Sequence, residues 1–457
     1  MWQPRPIDWI LWTIFTAVTC GMVFLYANFS KNPYSKYMIR GYLIKAFGGL
    51  GFALVYIYYY HFGDTFRYYY DAIKLSETFS RSPMTYVRLL FTSFDSIQNL
   101  DSDLMIVIKK CYFSFDKEGW FMARITSIFA IFTSNSYIGA TYFMSFISFI
   151  GSYQLFKLSN LILNDKPKWA FAIAFLIPST AFWGGGILKD NYTLFASSIF
   201  IYTLYKLMYT KSSKVWNIAV MLAMAYIIYT LKAYIIICLI PWVIVTAYLN
   251  FSRKVNSQMI RLATAPIIMG AVFASGFLLS TLLIDSSDKY NTEVIETRAK
   301  GFQKWHRSLG GSYYELGEIE YTPVGILRVA PKALSATLFQ PFPWEVRNPF
   351  MLLNSIEGFV FLFLVLQIFW HSRRDFFSLI YRNEYLFGAL IFCIIFGVAV
   401  GMNSYNYGAL ARYKLPILST FLLILGYVRV TQIDRKKEKK RLDRIKKEKI
   451  TSDVIES

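Results

Sequence analysis

Charged and apolar residues occupy separate blocks along this chain. Runs such as 7–29 and 385–403 carry few or no interior charges and are long enough to cross a bilayer as helices. Backbone groups in lipid must be paired within the chain, so this pattern predicts an all-α, polytopic bundle. We expect about eleven spans, placed at 8–29, 41–60, 137–157, 169–183, 190–208, 215–231, 233–249, 261–284, 354–370, 384–402 and 413–430.

Two long segments between these spans, about 61–119 and 285–353, are nearly balanced in charge. We therefore predict a transmembrane domain over 1–432, with both segments as extracytoplasmic loops, and a basic cytoplasmic tail over 433–457. The run Trp120 to Ser134 is apolar but short and contains Arg124. We interpret it as a re-entrant or interfacial helix.

The net charge of +20 lies mainly in short loops and in the tail. Basic residues cluster at 30–45, 206–214, 253–261 and 373–382, and loops rich in Lys and Arg stay cytoplasmic. This predicts a bacterial inner-membrane protein with its N-terminus outside and its C-terminus inside. The distribution argues against a nucleic-acid partner, and the tail is typical of a solvated helix beside anionic lipid.

The four cysteines and three histidines show no disulfide framework and no metal-ligand spacing. Asp101 and Asp103 match a DxD pattern that can hold a divalent ion, but the surrounding loop is rich in acids, which favours ordinary surface carboxylates. We predict no cofactor and leave a divalent cation open.

The predicted topology gathers polar residues at the outer membrane boundary. Asp64 and Arg67 follow the second span, and Gly63 permits a turn that aims Asp64 back towards the bundle. A carboxylate held there can act as a general base or orient a hydroxyl group. The alternative is an ordinary helix-end carboxylate beneath an aromatic belt.

Three glycines, 184–186, precede a helix that should begin at Lys189 and Asp190. A helix start exposes free N–H groups, glycines let a ligand approach the backbone, and Lys189 adds a full charge, which suits a phosphate. The alternative is a flexible turn with an interfacial lysine.

Further basic residues are expected at the same level. Lys232 lies between two short apolar stretches, and Arg412 and Lys414 open the last span. Arginine offers a planar fork suited to phosphate and lysine a point charge. Snorkelling or interfacial anchoring explains the same positions equally well.

A stiff segment with three prolines, 341–349, carries Glu345 and Arg347 as a candidate polar rim. Glu357 follows inside the next span, where charge is costly. The alternative for the segment is a structural lid.

Four segments together resemble bacterial membrane proteins related to GT-C glycosyltransferases and to surface-polysaccharide polymerases and ligases: Gly63-Asp64-Thr65 with Tyr68, Phe182 to Asp190, Pro341 to Glu345, and Arg412 to Pro416. The resemblance implies a GT-C-like fold, with Asp64 as catalytic base or acceptor-orienting group. It also implies that Lys189, Lys232 and Arg412 bind a polyprenyl-phosphate-linked sugar donor. The usual second acid is absent, since Thr65 follows Asp64.

We therefore expect a membrane glycosyltransferase or polysaccharide polymerase that works on the outer side. Its catalytic residues would be Asp64 and Glu345, and its partners a lipid-linked sugar donor, a glycan or lipid acceptor and membrane lipids. Its substrate-binding residues would be Arg67, Lys189, Asp190, Lys232, Arg347, Arg412 and Lys414. The rival is a transporter or flippase for an anionic lipid-linked glycan, or a non-catalytic subunit.

Overall fold

The computed structural model describes residues 3–30, 33–92, 102–114, 116–254, 312–317, 319–320, 322–372 and 375–456, with the single residues Gly270 and Gly301. Apart from Gly270, the predicted span at 261–284 lies outside these residues, as do Asp101, Arg373 and all of 285–311 except Gly301. Within the described part, every regular element is a helix, and Tyr313 and Asn406 form an isolated β-bridge.

The helices follow the blocks of apolar sequence. The first eight are α1 (Pro6–Phe29), α2 (Ser35–Val55), α3 (Asp64–Arg81), α4 (Pro83–Phe91), α5 (Ser102–Ile108), α6 (Lys117–Phe132), α7 (Tyr137–Ile162) and α8 (Pro167–Phe175). The others are α9 (Pro178–Phe182), α10 (Lys189–Tyr209), α11 (Lys214–Lys254), α12 (Pro323–Phe339), α13 (Pro349–Ser372), α14 (Asp375–Tyr381), α15 (Glu384–Ser404), α16 (Tyr407–Tyr413) and α17 (Leu415–Glu456). A π-helical turn, Tyr56–Tyr60, extends α2.

Six helical stretches of the described chain are long and apolar enough to cross a membrane. They are Pro6–Phe29, Ser35–Tyr60, Lys214–Lys254, Pro349–Ser372, Glu384–Ser404 and Leu415–Lys446. This supports a helical membrane protein, and the predicted total of about eleven spans stays a prediction.

The two predicted spans 215–231 and 233–249 are found as two helical arms of α11 that meet at a kink. Lys232 has non-helical backbone angles between them, with φ −152° and ψ 75°. The predicted helix at 169–183 is instead divided into α8 and α9, because Pro178 at the first position of α9 has no N–H with which to continue the ladder.

The cytoplasmic basic loop predicted at 30–45 is shorter than expected. Helix α2 already begins at Ser35, so Lys36, Arg40 and Lys45 are helical. Lys45 is fully buried, and its Nζ donates a hydrogen bond to the carbonyl of Thr180 at 2.7 Å. Lys45 was expected inside the span 41–60 as well as in the basic cluster 30–45, but its burial was not predicted, since composition alone does not show which helical face a lysine occupies.

The segment after α2 is itself helical, and α3 packs against α6. Arg124 of α6 donates hydrogen bonds to the carbonyls of Leu90 and Thr92, at 2.8 and 3.1 Å. These contacts bind the end of α4 to α6, which is not among the candidate spans.

Candidate functional site

One polar pocket lies where four parts of the chain meet. They are the start of α3, the start of α10, the kink of α11 and the end of α16. The pocket has a volume of about 230 Å³. Five residues singled out from the sequence line it together: Asp64, Lys189, Asp190, Lys232 and Arg412.

Gly63 places Asp64 in this pocket. Its φ of 137° is one that other residues rarely adopt, and a Cβ there would lie 2.9 Å from the ring of Tyr56. The chain turns at Gly63 and α3 begins at Asp64. The Asp64 side chain is half exposed, and its Oδ2 lies 4.0 Å from Nη1 of Arg412. Asp64 is therefore an accessible carboxylate beside a cation.

Asp190 and Lys232 form a buried ion pair on the other side of the pocket. Lys232 Nζ donates a hydrogen bond to Oδ1 of Asp190, and it also lies 4.1 Å from the ring centroid of Tyr413. Their side chains are only 6% and 10% exposed, respectively. The kink of α11 thus brings a cation to the first turn of α10, where Asp190 also suits the positive end of the helix dipole.

Two acids missed by the sequence analysis hold Lys189. Its Nζ lies 2.7 Å from Glu118 Oε2 and 3.4 Å from Asp116 Oδ2. Asp116 also caps α6, because Oδ2 accepts a hydrogen bond from the N–H of Gly119 at 2.9 Å. An N-cap Asp followed by an acid in the first turn is a recognisable sequence signal, but nothing in it indicates Lys189 as the partner.

The loop before α6 is itself fixed by Asp71 of α3. Its two carboxylate oxygens accept hydrogen bonds from the N–H groups of Tyr112 and Phe113, at 2.8 and 2.9 Å. This contact fixes the chain just ahead of Asp116 and so helps to position both acids at Lys189.

The three glycines before α10 serve packing rather than ligand approach. A Cβ at Gly185 would lie 2.7 Å from the backbone of Gly49, and one at Gly186 would lie 2.3 Å from the ring of Phe52. Helix α2 therefore occupies the space that a ligand would need beside Gly185 and Gly186. The expectation that they expose backbone to a ligand was wrong, because the turn is buried against a neighbouring helix.

Arg412 has the loosest carboxylate partner of the three pocket cations, since Lys189 and Lys232 lie closer to their acids. Burial opposes the charge of Arg412, but Tyr56 and Asp190 nearby raise the pKa of Arg412 above its usual value. Burial, followed by the charge of Asp64, raises the pKa of the Tyr68 phenol, which also lines the pocket. Arg412 stays charged and Tyr68 stays protonated at neutral pH.

Charge at the pocket is nearly balanced. Three cations face four carboxylates: Lys189, Lys232 and Arg412 against Asp64, Asp116, Glu118 and Asp190. A dianionic ligand must therefore displace a carboxylate or arrive with a counter-cation.

Four other predicted site residues do not line this pocket. Arg67 is exposed on α3, and Glu345 caps its own turn by accepting a hydrogen bond from the N–H of Phe342 at 2.7 Å. Arg347 lies 5.5 Å from the ring centroid of Tyr313, and Lys414 is buried. The hydrogen bond to Phe342 favours a structural role for Glu345.

Glu357, which was expected as a costly charge inside a span, belongs to a second polar cluster whose partners were not predicted. Oε2 of Glu357 accepts a hydrogen bond from the N–H of Ser179 at 2.8 Å, next to the carbonyl of Thr180 that Lys45 binds. Glu357 thus binds an N–H at the start of α9, and Lys45 binds a carbonyl near the end of the same short helix. Lys414 lies within electrostatic reach of Glu357.

Within the described residues, no group of three or more His, Cys, Asp or Glu side chains is arranged to hold a metal ion. Comparisons of the whole chain with family models, curated proteins and solved structures give no match.

Proposed function

We propose that this chain is a membrane glycosyltransferase of cell-envelope polysaccharide synthesis, acting on the extracytoplasmic side. The donor would be a sugar linked to polyprenyl phosphate or pyrophosphate. The observation that supports this best is the meeting of an accessible carboxylate, Asp64, with Arg412 and Lys232 in one pocket.

The proposed reaction is a single displacement. The hydroxyl oxygen of the acceptor attacks the anomeric carbon of the donor sugar while Asp64 takes the hydroxyl proton. The bond from that carbon to the phosphate oxygen breaks, and the lipid phosphate leaves with the electron pair. The product has the opposite anomeric configuration.

Arg412 would stabilise the phosphate as negative charge develops on the leaving oxygen. Its fork can donate two parallel hydrogen bonds, and its loose contact with Asp64 leaves it available. Lys232 would add a second charge from the kink of α11. Asp190 would position Lys232 instead of touching the substrate, because the two are already paired.

Lys189 has a different part in this proposal. Because Glu118 and Asp116 hold it, donor phosphate must compete with two carboxylates for its ammonium group. Because the charges of the pocket nearly cancel, a pyrophosphate donor would bind more readily together with a divalent cation.

One observation favours a second candidate, a transporter of an anionic lipid-linked glycan. Lys45 lies fully buried inside a candidate span, and ionisable groups at such depth are typical of transport pathways. Its bond to the Thr180 carbonyl accounts for it equally well as a structural group.

Purified protein in nanodiscs, mixed with polyprenyl-linked sugar donors and candidate acceptors, separates the two. A glycosyltransferase cleaves the bond between sugar and phosphate and forms a glycosylated acceptor. A transporter leaves that bond intact but moves a fluorescent donor across a proteoliposome membrane. Movement without cleavage would overturn the proposal.

A further inference from the structure

An apolar groove runs along the outside of the bundle between α8, α13 and α17. Its volume is about 450 Å³, and its walls include Trp169, Leu353, Val360 and Leu422. Helices α13 and α17 both carry candidate membrane spans, so the groove opens towards lipid. It shares no lining residue with the polar pocket.

A smaller cavity of about 300 Å³ adjoins this groove at the end formed by α9. The two share Pro178, Leu353 and Glu357. The smaller cavity also has aromatic walls, Phe182 and Phe350, and a polar side formed by Ser179 and Asn354. Together they form a long, largely apolar channel with a polar patch near the junction of its two parts.

Glu357 stands where the cavities join, 5% exposed. Its Oε2 binds the N–H of Ser179, but its Oε1 has no hydrogen-bond partner among the described residues. A buried carboxylate oxygen without a partner is costly, and a ligand with a hydrogen-bond donor would satisfy it.

The charges near Glu357 indicate which hydrogen-bonding headgroup fits beside it. Lys414 lies within electrostatic reach of Glu357, so a cationic headgroup is not required. A phosphate headgroup would meet the carboxylate, while no cation among the described residues lines the smaller cavity. A neutral hydroxyl group can donate a hydrogen bond to Oε1 without placing a second charge beside the carboxylate.

We propose that this channel binds a neutral membrane lipid with a free hydroxyl group, such as a diacylglycerol. The hydroxyl donates to Oε1 of Glu357, the glycerol lies against the aromatic walls of the smaller cavity, and an acyl chain fills the groove. The site is independent of the proposed sugar transfer, and it is tested by binding alone.

The test compares three lipids with the same oleoyl chains, added to delipidated protein in detergent and followed by native mass spectrometry. Dioleoylglycerol has the hydroxyl, dioleoyl phosphatidic acid replaces it with phosphate, and trioleoylglycerol esterifies it. We expect dioleoylglycerol to bind at least about tenfold more tightly than the other two, the effect of one hydrogen bond to a charged group.

Val360→Trp should fill the groove and abolish this preference. Phe359→Trp is the matched control, because Phe359 is its neighbour on α13, is similarly exposed and does not line the groove. Glu357→Gln should weaken dioleoylglycerol binding about tenfold, with melting temperature checking that each variant is folded.

Equal binding of the three lipids would overturn the proposal. Preference for phosphatidic acid would overturn it too, because it would indicate a phospholipid held by Arg429, which also lines the groove. Unchanged binding by folded Val360→Trp would overturn it as well.

Discussion

Asp190 in the first turn of α10 and Lys232 at the kink of α11 form a buried ion pair that joins two helices at the polar pocket. The pair explains how α11 can leave helical geometry at Lys232, since the displaced side chain gains a carboxylate and the ring of Tyr413. It also keeps Lys232 at the level of Asp64 and Arg412.

Breaking this pair should destabilise the protein strongly. Asp190→Asn or Lys232→Met alone leaves one buried charge without its partner, at a cost of about 3–5 kcal/mol. The double variant should recover much of the loss, which unfolding in detergent measures as a coupling energy.

The matched control is the more exposed pair of Arg253 and Glu384, at 2.7 Å near the C-terminal end of α11. Glu384→Gln should cost about 1 kcal/mol or less. Equal losses at both pairs, or additive losses in the double variant, would contradict the structural role of the Asp190 pair.

Asp71 gives a test that depends on pH. Burial keeps the pKa of Asp71 above its usual value, although the N–H groups of Tyr112 and Phe113 and the ammonium of Lys74 oppose the shift. The folded protein therefore binds this proton more tightly than the unfolded chain. The Asp71 contribution to the free energy of unfolding should be greatest below the ordinary carboxyl pKa, near ~3.9, and should fall as pH rises through the higher folded value.

Asp71→Asn should lose that dependence, and it should cost about 1–3 kcal/mol at neutral pH because its NH2 group replaces one of the two oxygens that accept these N–H bonds. Denaturation of both proteins across this pH range is the measurement. Parallel curves would exclude the predicted role of Asp71 in the pH dependence.

The predicted orientation of the protein in the membrane, with its tail in the cytoplasm, is tested by cysteine labelling in intact cells. Lys109→Cys, after α5, should react with a membrane-impermeant maleimide, and Lys440→Cys, in the tail, should react only after permeabilisation. Native Cys111 adds little background, because burial raises its pKa to about 12. The opposite pattern would reverse the topology and remove the pocket from the outer face.

Much of the helical architecture follows from the sequence, because long apolar runs leave few alternatives in a membrane. The start of α10 at Lys189 and the turn at Gly63 were predicted from local signals, a glycine run and a single glycine. The division of α8 from α9 was missed, since Pro178 can open a helix as easily as end one.

Partners across the fold could not be predicted. Lys189 meets Glu118 and Asp116, more than 70 positions earlier in the chain, and Lys45 meets Thr180. No periodic pattern links such distant residues, so the sequence indicated which side chains had suitable chemistry but not which were already paired.

Arg412 should contribute to donor binding through the planar shape of its guanidinium group as well as through its charge. Arg412→Lys keeps the charge but loses the fork, so donor binding should weaken about tenfold, and Arg412→Ala should weaken it about 10- to 100-fold. Binding of the lipid-linked donor in nanodiscs measures both. Unchanged affinity in the alanine variant would exclude Arg412 as the phosphate ligand.

The proposed role of Asp64 as the proton acceptor is tested most directly by sugar transfer from a polyprenyl-linked donor, with wild type compared to Asp64→Asn. The amide keeps the size of the side chain but cannot accept the proton, so turnover should fall about 100-fold or more while donor affinity stays within about twofold. Asp375→Asn, which changes an exposed aspartate that pairs with Arg435 of α17, should retain full turnover. Full transfer by Asp64→Asn would contradict the account.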